Sequence, residues 1–430
     1  MHASGLNNTA VKRRAWYPWL WVPSLYLAEG LPNAVVVTVA VVMLKNLGLD
    51  NSSVAFYTSL LYLPWVIKPF WAPFVDIFST KRRWILAMQF CMGFGMALVA
   101  LSLHAPWWLA AVLTALWFTA FCSATHDVAA DGFYMLALNE SEQAYFVGIR
   151  STFYRLANLL ASGGVVWAAG RLLNLGWTAQ GAWTALFGAM ATFFVLAAIW
   201  HRFILPTPDS DRPNKARGAR DIMRDFAGSF VTFVKLPHFW ISLAFLLLYR
   251  LPEAVLCKLV QPFLMDPTAA GGLGLSTEQV GLANGTCGVL GIVAGGILGG
   301  VAIGLWGLRK CLWPMALLLT IPSGFYCYLA AYQPDNMVLI CIGMALEQFG
   351  YGFGFTAYMM YMMRMCEGSA YTTSHYAFCT GIMALGLMVP GLFSGALQQA
   401  VGYPTFFAIV MLLCIPTLII SAIVRPYLKN

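Results

Sequence analysis

Charged residues are scarce in this chain. Asp, Glu, Lys and Arg together make up 10% of its 430 residues, whereas hydrophobic residues make up 60% and the mean hydropathy is +0.72. A soluble domain of this length carries far more charge on its surface. The shortage of charge therefore excludes a soluble globular protein and predicts a helical protein that crosses a membrane many times.

Motifs for catalysis and for metal binding are also missing. The ten cysteines include no Cys-x-x-Cys pair and the six histidines show no metal-ligand spacing, so we interpret the cysteines as small apolar packing residues. No Gly-x-Ser-x-Gly or His-Glu-x-x-His motif occurs, and no lysine follows a glycine, which excludes a Gly-Lys-Ser/Thr loop for the phosphates of ATP. We therefore expect a protein that is not an enzyme, with no catalytic residue, metal or cofactor.

Long apolar runs are what the chain does contain. A membrane-spanning helix needs about 20 apolar residues, and twelve segments meet this requirement. These segments are residues 17–44, 52–74, 84–103, 107–138, 143–170, 180–201, 238–264, 279–306, 311–331, 336–363, 371–398 and 403–424. We expect an all-α membrane protein with twelve transmembrane helices.

Four short motifs occur once in each half of the chain, in the same order and at offsets of 220 to 226 residues. The matching pairs are Leu31–Val35 and Leu251–Val255, Leu47–Leu49 and Leu273–Leu275, Ala144–Tyr145 and Ala370–Tyr371, and Gly176–Trp177 and Gly402–Tyr403. Two six-helix halves in parallel repeat are typical of major facilitator transporters. The repeat predicts one half at residues 1–202, a cytoplasmic linker at 203–237 and a second half at 238–430.

Basic residues are distributed unequally between the loops. Of the 25 Lys and Arg residues, 18 fall on one side of the expected membrane, five lie within spans, and only Lys45 and Arg171 fall on the other side. The positive-inside rule then places both termini in the cytoplasm, and we expect a bacterial inner membrane protein. Basic residues spread over loops in this way do not form a nucleic-acid surface.

Two aspartates interrupt the fourth apolar run. Asp127 and Asp131 are four residues apart and lie on one face of a helix. Like charges that close seldom both stay ionised, and an intramembrane carboxylate marks a functional site by default. Glu29 precedes Gly30–Pro32, which we expect to break the first helix. These three acids are the predicted proton-coupling residues.

Other charged residues within the spans are candidate substrate ligands. Arg150 and Arg155 follow the aspartates on the next span, where they can bind those carboxylates or a carboxylate of the substrate. They are five residues apart, so they point in different directions around the helix. Arg250 and Glu253 share a face of the seventh span, either as an intrahelical ion pair or as a binding pair.

A polar and aromatic stripe runs along the tenth span. Its members are Glu347, Tyr351, Tyr358 and Tyr361, with Gly354 on the same face. Aromatic faces with hydroxyl tips suit amphipathic ligands such as sugars, but such stripes also form by ordinary helix packing. We assign Glu347, Tyr351 and Tyr358 to substrate binding.

The loop after the second span resembles the gating-loop signature of major facilitator transporters. Asp76 follows a small residue at the usual spacing, and a basic cluster of Lys81, Arg82 and Arg83 comes next. Ala72 replaces the usual glycine, and Gly304 replaces the acid in the second copy of the signature. We therefore expect a gating role for the first loop only, the alternative being a basic cluster that only sets topology.

The fourth and fifth spans resemble those of the AmpG-type permeases. The resemblance rests on Phe121–Asp127, Asp131, and Arg150 and Arg155 on the next span. It implies import of anhydro-muropeptides, which are cell-wall fragments made of amino sugars and a short peptide, driven by the proton gradient. His126 departs from this family, which often has a polar amide there.

We therefore expect a secondary transporter. Its expected partners are a small-molecule substrate, protons and the lipid bilayer, and we expect it to work as a monomer. One alternative keeps this fold and changes the cargo to a siderophore, acetyl-CoA or a drug-like molecule. A second alternative is a membrane sensor that transports nothing. Charged residues buried in both halves favour a transporter over a sensor.

Overall fold

The computed structural model describes residues 17–212, 219–367 and 372–428. Six helices form the first half: α1 (Tyr17–Asn46), α2 (Asn51–Leu60 and Leu63–Phe78), α3 (Lys81–Ser102), α4 (Trp108–Ala137), α5 (Glu140–Asn158, continuing to Val166–Asn174) and α6 (Ala179–Ile204). A linker helix, Ala219–Val234, follows α6.

Six further helices form the second half: α7 (Phe239–Leu248, Leu251–Leu256 and Val260–Met265), α8 (Thr277–Trp306), α9 (Leu308–Tyr332), α10 (Met337–Cys366), α11 (residues 372–401) and α12 (residues 403–424). Gly402 separates the last two, because its φ of 76° is not helical. Within the described ranges, nine continuous helices are long and apolar enough to span a membrane. That count joins α11 to α12 and omits the interrupted α2 and α7, so the twelve predicted spans are confirmed.

Prolines account for the interruptions in α7. Pro252 and Pro262 each lie at the start of a new helical segment, where the missing backbone N–H does no harm. The expectation of a break in α1 was wrong. That helix stays α-helical through Pro32 and then widens into a π-helical segment, Val35–Val39, before it continues.

The two halves pack against each other along two pairs of helices. These pairs are α5 with α8, and α2 with α11. Both contacts bring main chains close together: a Cβ atom on Gly285 of α8 would lie 2.0 Å from the carbonyl oxygen of Ser162 on α5, and one on Gly395 of α11 would lie 2.3 Å from that of Asn51 on α2. Small residues at such crossings allow this approach.

The linker helix packs at the end of the molecule where α6 ends and α7 begins, which we call the linker end. Phe226 on this helix lies between Phe70 of α2 and Phe378 of α11, with ring centroids 5.4 Å apart in each pair. The linker helix therefore touches both halves. We call the opposite end of the helices the sealed end.

Candidate functional site

A cavity lies between the halves. Its walls come from α1, α2, α4 and α5 of the first half and from α7, α8, α10 and α11 of the second. A deep lobe of about 740 Å³ continues into a lobe of about 950 Å³ that reaches the linker end, where Phe226 and Phe378 line it. Glu29, Asp127 and Arg250 line both lobes, so these three residues lie where the lobes join.

Glu29 and Asp127 form an acid pair on the wall of the first half. Asp127 forms a salt bridge with Lys68 of α2, a partner that the sequence did not suggest. The carboxyl group of Glu29 lies within hydrogen-bonding reach of Asp127. Glu29 is only 6% exposed, and its Oε2 has no hydrogen-bond partner in the described part of the chain. Two carboxyl groups in contact form a hydrogen bond only when one of them carries a proton.

Asp131 has its own cation. The Nη2 atom of Arg150 lies 2.7 Å from Asp131 Oδ1, and the Tyr26 hydroxyl donates to the same oxygen at 3.3 Å. The guanidinium also stacks over the rings of Tyr26 and Tyr134, at 4.5 and 5.2 Å from their centroids. Arg150 is therefore committed to Asp131, although both side chains still line the cavity.

Arg155 lines the deep lobe and has no acidic partner among the described residues. Its Nη1 donates a long hydrogen bond of 3.4 Å to the carbonyl oxygen of Val293 on α8, and the guanidinium lies against Gly296. The five-residue spacing from Arg150 thus separates the two side chains, one on Asp131 and one in the cavity. A guanidinium with vacant donors suits a carboxylate on a ligand.

Arg250 is held in an aromatic surround on the second half. It donates to the Tyr351 hydroxyl and lies over the rings of Tyr351, Phe355 and Tyr358 at 4.7 to 5.9 Å. Its Nε is buried without a partner in the described residues. Arg250 and Glu253 both line the cavity but form no ion pair with each other, because the helix is interrupted at Arg250.

The stripe on α10 divides into two parts. Tyr351 lines both lobes of the cavity, whereas Glu347 and Tyr358 lie behind its wall. Glu347 is 2% exposed and accepts hydrogen bonds from Tyr326 and Gln348, at 3.2 and 2.8 Å. The Tyr358 hydroxyl donates to the carbonyl oxygen of Leu246 at 2.8 Å.

Gly354 serves helix packing, which was the alternative to ligand binding for this stripe. A Cβ atom there would lie 2.6 Å from Cβ of Leu319, so the glycine accommodates α9. Direct contact with a ligand in the cavity is therefore open to Tyr351 alone among the tyrosines assigned to substrate binding.

Lys258 is one of the five basic residues within the spans, and its position in the sequence indicated no role for it. It is 2% exposed and lines the deep lobe. Its Nζ donates to the carbonyl oxygens of Thr58 on α2 and Val37 on α1, at 3.2 and 3.4 Å. Val37 lies in the π-helical segment of α1, where the regular carbonyl hydrogen bonds are interrupted. Lys258 thus connects the second half to the first.

A hydrogen-bonded chain lies behind the cavity within the first half. The Gln89 amide contacts His126 at 3.0 Å and His201 at 2.9 Å, and His201 contacts Ser24 at 3.0 Å. Gln89 and both histidines are fully buried. His126, which departs from the family pattern, thus joins α4 to α3 and α6, and the structure gives it internal partners.

The expected gating loop is bound to the start of the linker. The Asp211 carboxylate accepts from the backbone N–H groups of Lys81 and Arg82, at 2.8 and 3.0 Å. The Arg82 guanidinium donates to the carbonyl oxygens of Leu205, at 3.2 Å, and of Arg202. Arg83 is exposed, and the side chain of Asp76 lies outside the described residues.

At the sealed end, polar side chains join the two halves. Lys45 Nζ lies 2.5 Å from Asp266 Oδ1 and 2.7 Å from Asn51 Oδ1. The Asn51 amide nitrogen lies within 2.9 Å of Asp266, Gln398 and Tyr403, and the Tyr403 hydroxyl donates to Asp266 at 2.7 Å. This cluster closes the end of the cavity that faces away from the linker.

Two helical halves around a charged cavity, closed at one end, define a carrier rather than an enzyme. The described residues contain no cluster of side chains that could hold a metal ion. The sequence profile of the Major Facilitator Superfamily matches residues 24–254, just over half of the chain, and the chain belongs to this family.

Several known proteins are similar to the chain. The anhydromuropeptide permease of Escherichia coli (strain K12) is 24% identical, over 94% of this chain and 79% of its own length. The putative transporter AmpG 4 of Rickettsia conorii is 22% identical, over 92% and 94%. The crystal structure of a D-xylose-proton symporter superposes with a TM-score of 0.71 at 12% identity, over 94% of this chain and 96% of its own.

These similarities confirm the resemblance to AmpG-type permeases and the major facilitator fold. The chain is a multi-pass membrane transporter with a small-molecule substrate, and its family and relatives are transporters, not enzymes.

Proposed function

We propose that this transporter imports anhydro-muropeptides across the bacterial inner membrane together with protons. The observation that carries this proposal is the presence, in one cavity, of two neighbouring carboxyl groups and of an arginine that has no acidic partner among the described residues. Glu29 and Asp127 supply the first, and Arg155 supplies the second. The similarity to an anhydromuropeptide permease along 94% of the chain supports the choice of cargo.

In this proposal Glu29, Asp127 and Asp131 exchange the coupled protons. Lys68 and Arg150 hold Asp127 and Asp131 at the cavity wall, so that a proton arriving there changes the charge of the site. Arg155 and Arg250 bind carboxylates of the peptide, Glu253 binds its ammonium group, and Tyr351 contacts the sugar. Glu347 and Tyr358 support the wall from behind.

Transport then follows alternating access between halves at residues 1–202 and 238–430, joined by the linker at 203–237. Both termini and the linker lie in the cytoplasm, in accordance with the positive-inside rule. With that orientation, the present structure faces inward, since its cavity reaches the linker end. The Asp76, Lys81, Arg82 and Arg83 loop acts at the cytoplasmic gate, and the monomer is the working unit.

Uptake of a labelled anhydro-muropeptide into inverted and right-side-out vesicles tests this function. We expect accumulation when a proton gradient is imposed in the importing direction, and its loss when a protonophore is added. Equal uptake with and without the gradient would disprove proton coupling. No uptake of the fragment, with transport of an iron chelate, acetyl-CoA or a drug-like molecule instead, would assign another cargo.

A further inference from the structure

All three π-helical segments within the described residues lie in helices that line the deep lobe. They are Val35–Val39 in α1, Leu159–Val165 in α5 and Gly281–Gly288 in α8. A π-helical turn costs regular hydrogen bonds, and such turns occur often at functional sites. Three of them around one cavity indicate that the cavity wall, rather than the individual helices, requires them.

An asparagine accompanies each of these segments. Asn33 lies two residues before the first, Asn158 immediately precedes the second, and Asn284 lies within the third. All three line the deep lobe. They come from both halves, because α1 and α5 belong to the first half and α8 to the second.

The geometry of the α5–α8 crossing places two of these residues on facing helices. The Ser162 carbonyl oxygen of α5 contacts Gly285 of α8, which follows Asn284 directly. Ser162 lies one helical turn after Asn158, and its hydroxyl donates to the Asn158 carbonyl oxygen at 2.6 Å. Asn158 and Asn284 therefore flank the same point of contact between the two halves.

These amides have hydrogen-bonding capacity that the protein leaves unused. Within the described residues, the side chains of Asn33 and Asn284 make no hydrogen bond, and that of Asn158 makes one, from Nδ2 to the Tyr154 carbonyl oxygen at 3.1 Å. Gln261 of α7 also lines the deep lobe. It is 5% exposed, and its Oε1 is buried without a partner. The three asparagines are half-buried, whereas Gln261 is buried. A buried amide oxygen without a partner is costly unless a ligand or water satisfies it.

We propose that Asn33, Asn158, Asn284 and Gln261 form a neutral subsite for the sugar part of the cargo. A carboxamide offers donors and an acceptor together, which matches the hydroxyl and acetamido groups of an amino sugar. The subsite carries no charge, so it is chemically distinct from the arginines that bind the peptide carboxylates. This inference rests on the function proposed above.

Competition by two ligands tests the subsite. The inhibitors of labelled fragment uptake are the anhydro-disaccharide without peptide and the peptide without sugar. Asn158→Ala and Asn284→Ala should each raise the disaccharide concentration for half-inhibition about tenfold, as expected for the loss of one or two hydrogen bonds. The peptide concentration for half-inhibition should change less than about twofold. Retained inhibition by the peptide also shows that the variants fold.

Two further variants serve as controls. Arg155→Lys should produce the reverse pattern, because a lysine keeps the charge but loses the fork geometry for a carboxylate. Asn174→Ala removes an exposed amide of α5 that binds Glu278 outside the cavity, and it should affect neither inhibitor.

The outcomes separate this inference from the proposed function. If wild-type protein takes up the fragment but the asparagine variants weaken both inhibitors equally, or weaken the peptide alone, the sugar subsite is wrong and the function stands. If no fragment is transported, but the disaccharide raises the melting temperature of the wild-type protein and not that of the asparagine variants, the function is wrong and the subsite stands. If neither the fragment nor the disaccharide binds, both are wrong.

Discussion

Each carboxylate of the α4 pair has a different cation at its side. Asp127 is bound by Lys68 and contacts Glu29, whereas Asp131 is bound by Arg150 and Tyr26. Only the first of these arrangements contains a second acid at hydrogen-bonding reach. At the scale of single residues, the Glu29–Asp127 pair is therefore the strongest of the proposed proton sites, and Asp131 also supplies the charge that holds Arg150 in place.

Removing the charge of Asp127 should separate stability from coupling. Asp127→Asn leaves the Lys68 ammonium without its partner. The two side chains are 22% and 19% exposed on the cavity wall, so we expect a loss of about 1–3 kcal/mol, less than for a fully buried pair. Combining it with Lys68→Met should restore much of the thermal stability, but not accumulation driven by the proton gradient. Substrate exchange between equal pools should survive in the double variant.

Thermal unfolding in detergent and uptake into vesicles measure these two effects. Asp131→Asn with Arg150→Met is the matched pair on the other aspartate. Full gradient-driven accumulation by both double variants would show that the aspartates are structural.

At the scale of elements, aspartates cap the N-termini of two helices, one from a distant part of the chain and one from the position just before the helix. The N-terminus of α3 receives Asp211 from the linker, and the N-terminus of α2 receives Asp50, which accepts from the Ser53 N–H at 3.0 Å. An anionic cap satisfies free N–H groups and interacts favourably with the helix dipole.

Loss of the Asp211 cap should destabilise the linker end. Asp211→Ala leaves the backbone N–H groups of Lys81 and Arg82 without their acceptor, and we expect a loss of about 1–2 kcal/mol. Asp209→Ala is the matched control, because the Asp209 side chain is fully exposed and its contact to Arg212, at 3.9 Å, is long. Equal melting temperatures for the two variants would contradict the capping role.

The cap of α2 should respond to pH only in acid. The hydrogen bond from the Ser53 hydroxyl lowers the pKa of Asp50 to about 2, from about 3.9 in an unfolded chain. Because the folded-state pKa is the lower one, the stabilisation is complete above about pH 4 and is lost as the pH falls towards 2. The melting temperature of Asp50→Asn should thus approach that of wild type between pH 4 and pH 3. A difference between the two melting temperatures that stays constant down to about pH 2 would contradict the lowered pKa of Asp50.

At the scale of the whole molecule, the two ends of the helices differ. The sealed end joins the halves by side-chain hydrogen bonds and close main-chain contacts, whereas the cavity reaches the linker end. Which side of the membrane each end faces follows, in our proposal, from the positive charges of the loops.

Labelling of a single cysteine tests that orientation. Lys215→Cys lies between the described ranges, in the linker, on a background from which accessible native thiols have been removed. A membrane-impermeant thiol reagent added to intact cells should leave it unlabelled, and should label it after the cells are opened. Strong labelling of intact cells would reverse the proposed orientation.

The sequence predicted the twelve spans and the two-fold repeat because both depend on hydropathy and on motifs that can be compared along the chain. It did not predict which face of each helix meets the cavity. Glu347 and Tyr358 share a helical face with Tyr351, but both lie behind the cavity wall, where Glu347 contacts Tyr326 of α9 and Tyr358 contacts Leu246 of α7.

The sequence also did not predict which residues of distant helices contact one another. Lys68 and Lys258 are ordinary intramembrane lysines in the sequence, and their partners are set by how helices pack. The asparagines of the deep lobe carry no charge. The high cost of a charge in a membrane, which marked the acidic and basic residues as candidates, therefore did not mark these asparagines.

The Lys258 ammonium has a consequence for the resting state of the carrier. When the sealed end opens, α7 must move away from α1 and α2, and the lysine loses the Val37 and Thr58 carbonyl oxygens that now solvate it. An ammonium without acceptors in an apolar interior is costly. The sealed end can therefore open only if water or an anion takes the place of these carbonyl oxygens around the Lys258 ammonium. In the alternating-access cycle proposed above, we therefore expect the empty carrier to rest in the present form, and an anionic cargo bound near Lys258 to favour the opposite form. Transport cycles without cargo should then be slow.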